Sequence, residues 1–110
     1  MVIYGYGVLR DKTKIPDNCS EFNCYNYKLT ELPELPNSLQ ELWCFENELT
    51  ELPELPDSLI KLNCCYNNIK YLSPNNCQVI KKCVWIKVLN NPFSTGFTDD
   101  KDFKEYLMNL

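Results

Sequence analysis

An internal repeat constrains this chain more than any other feature. Residues 29–48 read LTELPELPNSLQELWCFENE and residues 49–68 read LTELPELPDSLIKLNCCYNN, a period of 20. The frame runs backward through IPDNCSEFNCYNYK (15–28) and forward to Ile69, Leu72 and Val79 before it blurs. A unit of this length cannot enclose a core alone, so successive units must stack and bury their apolar positions against one another.

Six apolar files follow from the period. Cys19, Leu39, Leu59 and Val79 form one; Phe22, Leu42 and Leu62 a second; Cys24, Cys44 and Cys64 a third. Leu29, Leu49 and Ile69 form a fourth, Leu32, Leu52 and Leu72 a fifth, and Ile15, Leu35 and Leu55 a sixth. The pair at 42 and 44 has the spacing of two that a short strand requires, so successive strands should lie side by side in a parallel sheet. Asn47 and Asn67 fall just after the strand, where a turning chain leaves backbone groups that a buried amide can satisfy. The first unit has Tyr27 there and is irregular. Leu-Pro-Glu-Leu-Pro suits an extended, polyproline-like return path, because proline fixes φ and donates no hydrogen bond.

The pattern LxxLxCxxNxLTELPELPxSL resembles the leucine-rich repeat in its short 20-residue form. It looks most like the repeats of bacterial effectors of the YopM and IpaH kind, and similar short repeats occur in proteins of large DNA viruses that infect amoebae. The resemblance covers residues 15–79, about three coils. It implies an α/β repeat solenoid with a parallel concave sheet and an extended convex side, and protein–protein binding as the default role. A separate ubiquitin-ligase domain follows the repeats of IpaH-like effectors. About 30 residues follow the last coil here, too few for one, so that activity does not carry over.

Residues 1–14 read as an N-terminal cap, 15–79 as repeats and 80–110 as a strand-and-helix cap, all within one domain. Val2–Leu9 is apolar and aromatic and suits a capping strand or hairpin edge, with a degenerate coil starting at Leu9. Downstream, Cys83–Leu89 is rich in strand formers. In strict frame Lys82 would point into the core, which is costly. A one-residue insertion within 73–76 is therefore preferred, placing Ile80, Cys83 and Trp85 inward. Thr98 to Leu110 reads as a helix capped by Thr98 or Asp99, with Asp99, Asp100 and Asp102 at its positive end. Its apolar face, Phe103, Tyr106, Leu107 and Leu110, is expected to close the last coil, with docking into a partner as the alternative.

Residues beside the buried strand pair project from the sheet. Glu21, Glu41, Lys61 and Lys81 form one outward column, Asn23, Trp43 and Asn63 a second, and Tyr25, Phe45 and Cys65 a third. Exposed aromatics at this density favour an interface, so the candidate partner-binding set is Tyr25, Glu41, Trp43, Phe45, Lys61, Asn63 and Cys65. The rings could equally pack on each other as cross-strand pairs. Glu31, Glu34, Glu51 and Glu54 read as a solvated face that repeats with the coil.

The chain has seven cysteines and no histidine. The missing imidazole removes the commonest general base and zinc ligand, and paired C-x-x-C spacings are absent. Cys24, Cys44 and Cys64 read as small core hydrophobes. No catalytic set, cofactor or metal site is expected, and no small-molecule substrate. A net charge of −4 argues against nucleic acid or an anionic membrane as partner. The first residues lack a basic region and a long apolar run, so no export signal is expected. That points to reduced thiols in the cytoplasm, or in a host cytoplasm or virion if the source is viral. The reading is a non-enzymatic interaction module, with a structural subunit of a larger assembly, such as a minor virion or capsid component, as the alternative.

Overall fold

A computed structural model describes residues 1–5 and 14–110. Five three-residue strands form one parallel sheet in chain order: β1 (Val2–Tyr4), β2 (Glu21–Asn23), β3 (Glu41–Trp43), β4 (Lys61–Asn63) and β5 (Trp85–Lys87). Each strand belongs to one coil. The central residues Ile3, Phe22, Leu42, Leu62 and Ile86 lie in register, so the coils step by 19, 20, 20 and 24 residues. The result is the stack of coils with one parallel sheet that the repeat implies, 39 Å long and 19 Å across its shortest axis.

Three-residue strands are too short to hold together alone. The stack holds them, because every coil sends the same apolar positions into one continuous core. Phe22, Leu42 and Leu62 are fully buried, as are Cys24, Cys44 and Cys64. Leu39 is fully buried, and Leu59, Leu35 and Leu55 nearly so. Burying a side chain of this size contributes about 1.5–3 kcal/mol. Leu29, Leu32, Leu52 and Leu72 are only half-buried, so the fifth file lies at the margin of the core.

Backbone hydrogen bonds tie each coil to the next. The Cys24 N–H donates to Trp43 O, Cys44 N–H to Asn63 O and Cys64 N–H to Lys87 O, each at 2.9 Å. The turn entering each strand also recurs, with the N–H groups of Cys19, Leu39, Leu59 and Cys83 donating to the carbonyls of Pro16, Pro36, Pro56 and Ile80. Ser38 Oγ donates to Cys19 O at 2.6 Å and Ser58 Oγ to Leu39 O at 2.5 Å, so the serine before each strand links two coils.

The fourth coil corrects the expected frame. It is four residues longer than its predecessors, not one, and the extra length forms helix α1 (Pro74–Lys82) on the return side. Ser73 caps this helix, accepting from the Asn76 N–H, and Pro74 opens it. Ile80 and Cys83 are buried, as expected. Trp85 is not inward: it takes the outward column of Glu41 and Lys61, and Ile86 points inward instead. Lys81 lies in the last turn of α1, outside that column. Cys83 occupies the file of Leu59, while Val79 sits on α1, 24 residues after Leu55.

Helix α2 (Asp100–Met108) covers the end of the stack. Asp99 caps it, accepting from the Lys101 N–H at 2.6 Å. Phe103 and Leu107 are buried, but Tyr106 and Leu110 are 51% and 74% exposed, so the covering face is narrower than the sequence period suggests. Phe103 packs edge-on against Phe93 and Phe97. The Asp100 carboxylate accepts from the Val88 N–H at 2.8 Å, and Lys104 Nζ donates to the Cys83 carbonyl. At the opposite end β1 forms the other edge of the sheet, and Leu9 lies outside the described residues.

Candidate functional site

The outward face of the sheet presents three rows. Register places Val2, Glu21, Glu41, Lys61 and Trp85 in the first, and Tyr4, Asn23, Trp43, Asn63 and Lys87 in the second. Tyr25, Phe45 and Cys65 follow the strands in the third. Glu41, Trp43, Lys61 and Asn63 therefore lie on one face, because side chains alternate along each strand and Phe22, Leu42 and Leu62 take the inner side.

The aromatic side chains form two pairs. Tyr25 and Phe45 stack with ring centroids 4.6 Å apart and planes within 6°. Trp43 and Trp85 come within 5.2 Å at a tilt of 42°. Their strands are two apart, about 9.6 Å, so the indoles lean toward each other above β4. Lys87 Nζ lies 5.9 Å from the Trp85 ring centroid, within cation–π range. The rings thus pack as cross-strand pairs and still present surface: Tyr25 is 44% exposed, and Trp43, Phe45 and Trp85 are half-buried.

Local polar bonds hold these side chains in place. Trp43 Nε1 donates to Glu41 Oε1 at 3.3 Å. Asn23 Nδ2 donates to Glu21 Oε2 at 2.9 Å. Asn63 Oδ1 accepts from the Cys65 N–H at 3.3 Å and from Cys65 Sγ at 2.9 Å. Asn23 and Asn63 flank Trp43 in its row and are each 7% exposed, so the aromatic strip rests on amides that are already engaged.

Sequence reasoning missed Trp85 and Lys87, which belong to this face. The signal that finds them is the ladder asparagine. Aligning Asn91 with Asn67, in place of extending the 20-residue frame, puts Trp85-Ile86-Lys87 on Lys61-Leu62-Asn63.

The thiols are chemically quiet. Burial pushes the Cys24 thiol up to about 12 and the Cys83 thiol up to about 11. Cys44 and Cys64 are fully buried and also raised by burial, reinforced by neighbouring thiols. Cys65 and Cys77 are half-buried and shifted the same way for the same first cause. A thiol held protonated is a poor nucleophile and metal ligand. Among the described residues, no three His, Cys, Asp or Glu side chains gather where they could hold a metal ion. Among the described residues, no helix is long and apolar enough to cross a membrane.

A second concavity lies on the return side. It is an open groove of about 750 Å³ lined by Glu34, Leu35, Pro53, Glu54, Asp57 and Asn75, among others. Asp57 at its rim meets Lys82 at 3.2 Å, with both side chains mostly exposed.

No protein-family model matches the chain, and no curated protein sequence does. Among solved structures, the chain is similar to a Shigella effector LRR domain. The two are 23% identical, with a TM-score of 0.47, over 86% of this chain and 57% of that one. The chain thus spans little more than half the length of that domain.

Proposed function

We propose that this chain is a non-catalytic interaction module that engages another protein through the outward face of its sheet. The observation that carries this reading is the aromatic strip formed by Tyr25, Phe45, Trp43 and Trp85, four rings gathered on one face of a rigid sheet. Rings fixed by their neighbours lose little conformational freedom on binding, which is why Trp and Tyr dominate the energetics of interfaces. Glu41, Lys61 and Cys65 surround the strip and supply its polar rim, and the buried Asn63 holds Cys65 in place. A reducing compartment such as the cytoplasm suits the protein, since Cys19, Cys24, Cys44, Cys64 and Cys83 serve as buried core side chains.

The test is partner capture from the native source with the wild-type chain and a Trp43→Ser, Phe45→Ser variant side by side. The wild type is expected to retain a protein that the variant loses, with unchanged circular dichroism. Equal retention by both would move the binding surface elsewhere. Copurification with a particle at fixed stoichiometry, insensitive to both substitutions, would favour a static assembly subunit.

A further inference from the structure

The strand face is electrically polar as well as aromatic. Its acids, Glu21 and Glu41, sit on β2 and β3, and its bases, Lys61 and Lys87, sit on β4 and β5. The inner pair, Glu41 and Lys61, are register partners on adjacent strands, about 4.8 Å apart at the backbone, so each partly offsets the other. The outer pair is different. Glu21 and Lys87 are three strand spacings and two residues of rise apart, about 16 Å, and the midpoint of Glu21 and Glu41 lies about 14 Å from Lys87, both well beyond the Debye length of about 8 Å at physiological salt. Each end therefore acts on its own surroundings, with the Trp43–Trp85 pair between them. Lys87 is exposed with its ammonium over the Trp85 ring, so a carboxylate can reach it from the solvent side.

We infer that the partner of this face is a peptide segment that crosses the strands. It carries a cationic side chain over Glu21 and Glu41, an apolar one over the tryptophan pair, and a carboxylate at Lys87. In an extended segment, residues four apart span about 13 Å and point to the same side, with the residue midway between them also on that side. Lys or Arg at i, an apolar residue at i+2 and Asp or Glu at i+4 thus match the spacing and order of the face. The inference rests on the strand-face reading and adds the chemistry of the partner. Complementary charge of this kind selects partners and orients them more than it adds affinity.

The test is selection of random dodecapeptides displayed on phage, at physiological salt, against the full chain and its Lys87→Glu and Trp43→Ser variants. Each protein is first checked for a native thermal transition, and Tyr25→Ser replaces Trp43→Ser if the latter is unstable. The wild type should enrich peptides with the cation–apolar–anion spacing. Lys87→Glu should enrich peptides with a second cation in place of the carboxylate. A synthetic wild-type-selected peptide should bind Lys87→Glu on the order of tenfold more weakly and regain affinity when its carboxylate residue becomes lysine. Peptides that need Trp43 but show no charge order, or ignore Lys87→Glu, would overturn the inference and leave the strand-face reading standing. No enrichment by the wild type, or the same peptides on Trp43→Ser, would remove both.

Discussion

At the scale of single residues, three asparagines, one to a coil, set the geometry of the turns that follow β3, β4 and β5. Asn67 Oδ1 accepts from the Leu49 N–H, while its Nδ2 donates to the carbonyls of Cys44 and Cys64 at 3.0 and 3.1 Å. Asn47 does the same one coil earlier for Tyr27, Leu29, Cys24 and Cys44, and Asn91 one coil later for Ile69, Cys64 and Val88. The residue just before each, Glu46, Tyr66 or Asn90, has φ near +60°. That left-handed turn is unfavourable for glutamate and tyrosine, and the amide bonds hold it in place. Asn67→Ala leaves the Leu49 N–H without its partner, while the Cys44 and Cys64 carbonyls each lose one of two amide donors and keep the other, from Asn47 and Asn91. At about 1–3 kcal/mol for one buried unsatisfied group, the loss should fall in that range. Urea denaturation would measure it, and a change under 1 kcal/mol, within the net worth of an ordinary hydrogen bond, would contradict the role. Asn47 and Asn67 were legible in the sequence because they recur at the period. Asn91 was not, because it follows Asn67 by 24 residues.

At the scale of elements, the strands and the final helix followed from alternation and from apolar spacing. Helix α1 did not, because Pro74, Asn75 and Asn76 read locally as a turn. Its purpose is visible only in three dimensions. Asn76 Oδ1 accepts from the Leu55 N–H at 2.8 Å, and its Nδ2 donates to Pro53 O at 3.1 Å, so α1 satisfies the extended return path of the coil before it. Helix α2 likewise does more than cover apolar surface. Asp100, read from sequence as a charge at the helix N-terminus, accepts from the Val88 N–H just beyond β5, at the end of the sheet. Asp100→Ala should therefore lower stability by about 1.5–3 kcal/mol, the range for hydrogen bonds to charged groups. Asp102→Ala, at an exposed position on the same helix turn, should change it by less than about 0.5 kcal/mol. Thermal denaturation of the two variants separates these outcomes, and equal losses would reduce Asp100 to a helix-terminal charge. The candidate site divides in the same way: its columns on β2 to β4 were legible from the period, and its β5 column was hidden by the helix inserted before it.

At the scale of the whole molecule, stability is a sum of like interfaces, since the strand pairings and ladder bonds join each coil only to its neighbours. A second copy of residues 49–68 inserted after Asn68 should be accepted, because the coils on either side already match such a unit. The longer chain is expected to unfold at higher urea concentration and with a steeper dependence on it, as more surface is exposed. A lower midpoint would show that the 24-residue coil accepts only its present neighbour. The likeness of 29–48 and 49–68, identical at 13 of 20 positions, also has a genetic consequence. Unequal recombination between the two matching stretches of coding sequence adds or deletes one whole coil without disturbing the reading frame or the caps. Each such event leaves the chemistry of both ends of the binding face intact and moves them apart, or together, by one strand spacing of about 4.8 Å. A lineage carrying this gene can therefore change the length of partner it grips in discrete steps, by copy number alone and without a single point mutation.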